Sequence, residues 1–184
     1  MITREDAFAL LCEYTKGEGL QKHGLAVETA MRAYAQKFSE DEELWGITGV
    51  IHDFDYEMYP TMPDHPLKGN EILRKKGYPE EMLTAIMGHA SYTNVPRESL
   101  LAKALYACDE LSGFVTACTL VRPNRKIAEL EVSSVRKKMK DRGFARAVDR
   151  EAIVTGANEL GIPLDEHIQF VIDAMKKNVA TLGL

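Results

Sequence analysis

Apolar residues recur at intervals of three and four along nearly the whole chain, and no stretch alternates apolar with polar positions between hairpin turns, so the pattern predicts an all-α protein. Thr3 is placed to cap a first helix reaching about Tyr14. The turn "KGEG" separates it from a second, roughly Leu20 to Phe38, whose Leu20, Val27, Ala30, Met31 and Tyr34 share one face. His23 belongs to that inward face. Ser39 and Glu42 have capping-box spacing and are expected to open a third helix through "EELWGITGVIHDF", with Trp45, Thr48 and His52 about a turn apart. His52 and Asp53 therefore fall near its C-terminal end.

Pro60, Pro63 and Pro66 then predict an ordered loop, with Asp64 capping a helix through "LKGNEILRKKG" and His65 in its first turn. A short helix, "PEEMLTAIMGHA", ends near His89, and "SYTNVPRES" carries turn chemistry. Ser99 opens a long apolar helix bearing Asp109. Beyond "RPNRK", an exposed charged helix is expected from Glu129 to Lys140, followed by helices at about Asp149 to Leu160 and Pro163 to Thr181. With no internal repeat and no linker, the 184 residues are expected to form a single helical-bundle domain. Its core spans about 20–121, and the helices of 122–184 pack on it.

Composition narrows the possible partners. The chain is 45% hydrophobic and 28% charged, an ordinary globular balance. The 23 Lys and Arg against 28 Asp and Glu give a formal charge of −5, which offers no long-range attraction to nucleic acid or anionic lipid. Neither nucleic acid nor membrane is an expected partner, while a small charged substrate is compatible if cations locally reverse the field. Cys12, Cys108 and Cys118 lack the spacing of a disulfide framework or zinc ribbon. The N-terminal segment lacks the apolar core of a signal peptide, and Lys103, Asp109 and Glu110 interrupt the longest apolar run. A cytoplasmic protein is expected. Oligomeric state is left open.

Six side chains then stand out: His23, His52, Asp53, His65, His89 and Asp109, each at a predicted helix end or on an apolar face. Taken singly, each has an ordinary reading as a core histidine, a capping group or a helix-face charge. Taken together they are costly to bury unless a cation satisfies several at once. Imidazole with carboxylate, and no evident thiolate, suits iron, manganese, nickel, cobalt or zinc rather than calcium or magnesium, so a bound divalent transition-metal ion is expected. His52 and Asp53 are adjacent, about 100° apart on a helix, so both reach one ion only where the helix ends or the ion lies off its tip.

The order His23, His52-Asp53, Asp109, set in "KHGLAVETA", "GVIHDFD" and "ALYACDELSGF", resembles the HD superfamily of metal-dependent phosphohydrolases. The likeness covers about His23 to Val121. It implies that His23, His52, Asp53 and Asp109 hold a first metal. His65 in "DHPLKG" and His89 in "MGHASY" match the branch with a second metal, which Asp53 would bridge. The spacing is similar to that of symmetrical diadenosine tetraphosphate hydrolases, although "DELSGFVTACTLVRPNRK" is longer than their corresponding segment. The letters Gly-Tyr-Pro in "KKGYPEE" precede His89 and read as a helix restart, not as the cyclic-dinucleotide phosphodiesterase signature.

The activity implied is hydrolysis of a phosphate ester or anhydride of a nucleotide or similar small metabolite by a metal-activated water. Asp53 and Lys68 are the candidate catalytic residues, with Lys68 also a phosphate contact because it sits one turn after His65. Arg122 and Arg125 are candidate substrate-binding residues at an anion-binding rim. The alternatives are a mixed-valent diiron oxygenase of the same superfamily and a non-catalytic nucleotide-binding module. Asp55 is expected to cap the following turn rather than to orient a histidine, and His167 is expected to be structural or solvent-facing.

Overall fold

The computed structural model describes residues 2–184, and among them every regular element is a helix. The all-α expectation holds. Helix α1 (Arg4–Tyr14) starts on a capping box in which the Thr3 side chain accepts from the backbone N–H of Asp6 and the Asp6 carboxylate accepts from that of Thr3. Helix α2 (Glu18–Phe38) ends where Ser39 turns left-handed, at φ 59°. This corrects the expected Ser39 cap of α3 (Glu42–Ile51). A residue closing one helix in left-handed geometry cannot hold the extended backbone of an N-cap, and Asp41 caps α3 instead, accepting from Leu44 N–H at 3.0 Å.

Helices α2 and α3 cross closely enough that a Cβ on Gly24 would lie 2.7 Å from the Val50 carbonyl oxygen, and one on Gly49 2.9 Å from the Glu28 Cα. Only glycine permits this approach. It sets His23 of α2 beside the C-terminal end of α3, which is buried from Trp45 to Ile51. A buried carboxylate, Glu28, ties the same region together, accepting from Arg4 of α1 at 2.9 and 3.0 Å and from Arg32 at 3.0 Å.

Helix α4 (Asp64–Lys75) is irregular at its start: His65 has ψ 135°, and the Asp64 side chain makes no capping bond. The expected Asp64 cap is thus absent, because the non-helical His65 leaves no regular first turn to cap. Helices α5 (Glu80–His89) and α6 (Leu100–Leu120, capped by Ser99) follow the expected spans. Helix α7 is shorter than expected, Val132–Met139, after a 3-10 turn at Ile127–Glu129, and burial of Ile127, Leu130 and Val135 fixes it to the core. Helix α8 (Arg150–Leu160) is capped by Asp149. The last expected helix is divided into α9 (Leu164–Lys176) and α10 (Val179–Leu182), with the break at Asn178 letting Leu182 turn into the core.

A continuous core runs from Leu10 and Leu11 of α1 through Met31, Trp45 and Phe114 to Ile172 and Met175 of α9, so the C-terminal helices share the apolar interior of α2, α3 and α6. Among the described residues no helix is long and apolar enough to cross a membrane.

Candidate metal centre

Five elements bring the six candidate side chains to one point. His23 comes from α2, His52 and Asp53 from the end of α3, His65 from the irregular start of α4, His89 from the last turn of α5 and Asp109 from mid-α6. Atoms of His23, His52, Asp53 and Asp109 lie within 4.8 Å of one another, and so do those of Asp53, His65 and His89. Asp53 belongs to both sets, and its two oxygens divide between them. Oδ2 lies 3.8 Å from His23 Nε2 and 3.5 Å from His52 Nε2, whereas Oδ1 lies 3.2 Å from both His65 Nε2 and His89 Nε2. Asp109 Oδ1 closes the first set, 3.0 Å from His23 Nε2 and 3.3 Å from His52 Nε2.

The local backbone explains why the rings face inward. His52 and His89 each sit where a helix ends and carbonyls lose their helical donors. His52 Nδ1 donates to the Gly49 carbonyl at 2.8 Å, and His89 Nδ1 donates to that of Ile86. A carbonyl can only accept, so in both rings the proton is on Nδ1 and the Nε2 lone pair is free toward the cluster. His52 Nε2 is fully buried and has no hydrogen-bond partner. An orphaned imidazole lone pair beside two carboxylates is what a cation would satisfy.

The separations suit that cation. Donors bonded to one ion at about 2.0–2.1 Å stand roughly 3.0–3.4 Å apart in octahedral or tetrahedral arrangements, and five of the six separations above lie between 3.0 and 3.3 Å or within 0.2 Å of that interval. Charge leads the same way. Burial disfavours an imidazolium at His52, yet Asp53 and Asp109 raise its pKa well above the ordinary value; burial likewise disfavours charge on Asp53, yet His52, His65 and His89 hold it well below the carboxylate range. For His65 burial is again outweighed, by hydrogen bonds to Asp53 and Asp55, and the pKa is raised to about 9. The carboxylates thus demand positive charge, which protons on the rings or bound cations can supply.

Asp55 overturns the expectation of a turn cap. Its buried carboxylate accepts from His65 Nδ1 at 2.8 Å and from the Gly69 backbone N–H at 2.8 Å, so it orients a histidine of the cluster from behind. A Cβ on Gly69 would lie 2.5 Å from the Asp55 carboxyl carbon, so this contact requires glycine. The only sequence signal was a second aspartate in "HDFD". Asp55→Ala is expected to weaken metal binding by about 10- to 100-fold while the helical circular dichroism is retained. Metal titration of the two proteins measures it, and equal affinities would remove the orienting role.

A cavity of about 730 Å³ opens onto the cluster and is lined by His23, Asp53, His65, His89 and Asp109. His52 lies behind them, fully buried. Lys68 is exposed and does not line the cavity, nor do Arg122 and Arg125. Arg122 instead reaches Glu129 at 3.3 Å, and Arg125 occupies a turn at φ 52°. Residues that sequence reasoning missed on the wall are Tyr92, whose hydroxyl donates to the His65 carbonyl, with Tyr106 and Glu110. Burial and the neighbouring Asp109 push the Cys108 thiol up, keeping it protonated and unsuited to nucleophilic attack.

Fold and site together define an all-α protein with a buried His/Asp cluster that can hold divalent metal. The HD domain family matches residues 20–113, just over half of the chain, and the chain belongs to that family. No curated protein and no solved structure matches it significantly.

Proposed function

We propose that the chain is a metal-dependent phosphohydrolase that holds two divalent transition-metal ions and cleaves a small phosphorylated metabolite. The observation that carries this reading is the division of Asp53, one oxygen toward His23, His52 and Asp109 and the other toward His65 and His89. His23, His52 and Asp109 are assigned to a first ion, His65 and His89 to a second, and Asp53 to both. When bound, the metal supplies a water of lowered pKa and the positive charge that a phosphate oxygen needs.

The chain's own residues do the rest. Gly49, Ile86 and Asp55 fix the ring orientations of His52, His89 and His65 through their Nδ1 protons, so the free nitrogens are set before metal arrives. The open side of Asp53, with the side chain 23% exposed, faces the cavity and leaves room for substrate. Lys68, Arg122 and Arg125 do not line the cavity. A cytoplasmic location suits the buried thiols of Cys108 and Cys118.

Purification without chelator, elemental analysis, and assay of a panel of phosphate esters under manganese, iron or nickel without oxygen test this directly. Phosphate release in anaerobic buffer is expected. Product formation only with dioxygen would identify an oxygenase using the same six residues, and metal-loaded protein that binds nucleotide but turns over no ester would identify a binding module.

A further inference from the structure

Building on the hydrolase reading, we infer from the cavity wall that the substrate is a phosphomonoester with an uncharged, apolar or aromatic leaving group, seated on Tyr56, Met62 and Tyr92. Among the described residues no lysine or arginine lines the cavity, whereas Glu110 and Asp149 add carboxylates beyond those of the cluster. Two nearby arginines are committed elsewhere. Arg97 lies behind Tyr106, 3.7 Å from its ring centroid, and pairs with Glu159 at 2.7 Å. Arg150 donates to the carbonyls of Ala145 and Val148.

The charge balance follows. Two divalent ions held by Asp53 and Asp109 keep a net positive charge that one phosphate dianion cancels. Each further phosphate would bring charge for which the lysine- and arginine-free lining offers no partner. A diphosphate, triphosphate or dinucleoside polyphosphate is therefore disfavoured, despite the spacing similarity to the tetraphosphate hydrolases.

The leaving-group side is built differently. Tyr56, Met62 and Tyr92 are 41%, 68% and 42% exposed, and all three line the cavity mouth. Exposed aromatic and thioether surface clustered at a site entrance recovers hydrophobic free energy when an apolar group covers it. Two contacts hold this rim beside the cluster: the Tyr56 ring packs edge-on at 5.3 Å from that of His65, and the Tyr92 hydroxyl bonds the His65 carbonyl. In the reaction water adds its oxygen to phosphorus, the ester P–O bond breaks, one water proton passes to the departing alcohol, and inorganic phosphate remains.

The test compares one nucleoside carrying one, two or three phosphates, an aryl phosphate and glycerol phosphate on metal-loaded protein, with calorimetric binding of the matching non-hydrolysable phosphonates. The monophosphate and aryl ester are expected to exceed the triphosphate at least tenfold in kcat/KM and in affinity. Replacing Tyr56→Ala and Met62→Ser together is expected to lower the preference for aryl over glycerol phosphate about fivefold or more at unchanged metal content. A triphosphate bound and cleaved as well as the monophosphate, or an unchanged preference ratio, would overturn the inference while leaving the hydrolase intact. If no ester is cleaved the hydrolase reading fails, and the phosphonate affinities alone then decide the inference, upholding it if the monophosphonate binds tighter and overturning it if it does not.

Discussion

Asp53→Ala protein is expected to purify with little metal and to lose activity by roughly a thousandfold or more, the several kcal/mol that metal-ion catalysis supplies. The effect is large because one carboxylate serves both sets: its removal takes Oδ2 from His23 and His52 and Oδ1 from His65 and His89. His65→Ala should differ in kind, since the set of His23, His52, Asp53 and Asp109 stays whole. Elemental analysis of the two variants beside the parent distinguishes them. Asp53→Ala protein with a full metal complement would contradict the bridging role.

The second large effect concerns stability rather than chemistry. His167 of α9 is fully buried and neutral, accepting from the Tyr34 hydroxyl at Nδ1 over 2.6 Å and donating from Nε2 to the Ala107 carbonyl over 2.8 Å. Burial pushes its pKa down to about 4, against the partial support of the Ala107 bond. An unfolded chain holds histidine near 6.5, so between about 6.5 and 4 it binds more protons than the native state. The stability from this ring is therefore complete above about pH 6.5 and is lost as pH falls toward 4, to a depth on the order of 3 kcal/mol. His167→Leu removes both bonds and orphans the Tyr34 hydroxyl, at about 1–3 kcal/mol near neutrality. The gap between parent and variant in urea unfolding should narrow on acidification over that window, and a gap independent of pH would show that the ring carries no such linkage.

What was legible in the sequence depended on how local its cause was. Thr3 and Ser99 cap helices through bonds spanning three residues, and the sequence places both at helix starts. The Ser39–Glu42 spacing misled because Asp41 competes for the same cap and Ser39 is taken by the end of α2, a choice fixed by the helix already formed. The break at Asn178 depends on where Leu182 finds the core, which no periodicity records.

The site divides along the same line. His23, the His52-Asp53 pair, His65, His89 and Asp109 can be collected because each sits in a short motif, and the structure brings all six together. Asp55 escaped because its partners His65 and Gly69 lie 10 and 14 residues away across a proline-containing loop. Lys68, Arg122 and Arg125 stand near the motifs in sequence, whereas the packed chain lines the cavity with other residues.

Anomalous diffraction at the edge of the metal that co-purifies is the most direct measurement. Two peaks are expected, one among His23, His52, Asp53 and Asp109 and the other among Asp53, His65 and His89. Protein purified without chelator and saturated with divalent metal that shows no peak at either place, or a peak elsewhere in the fold, would contradict the assignment of these six side chains to metal.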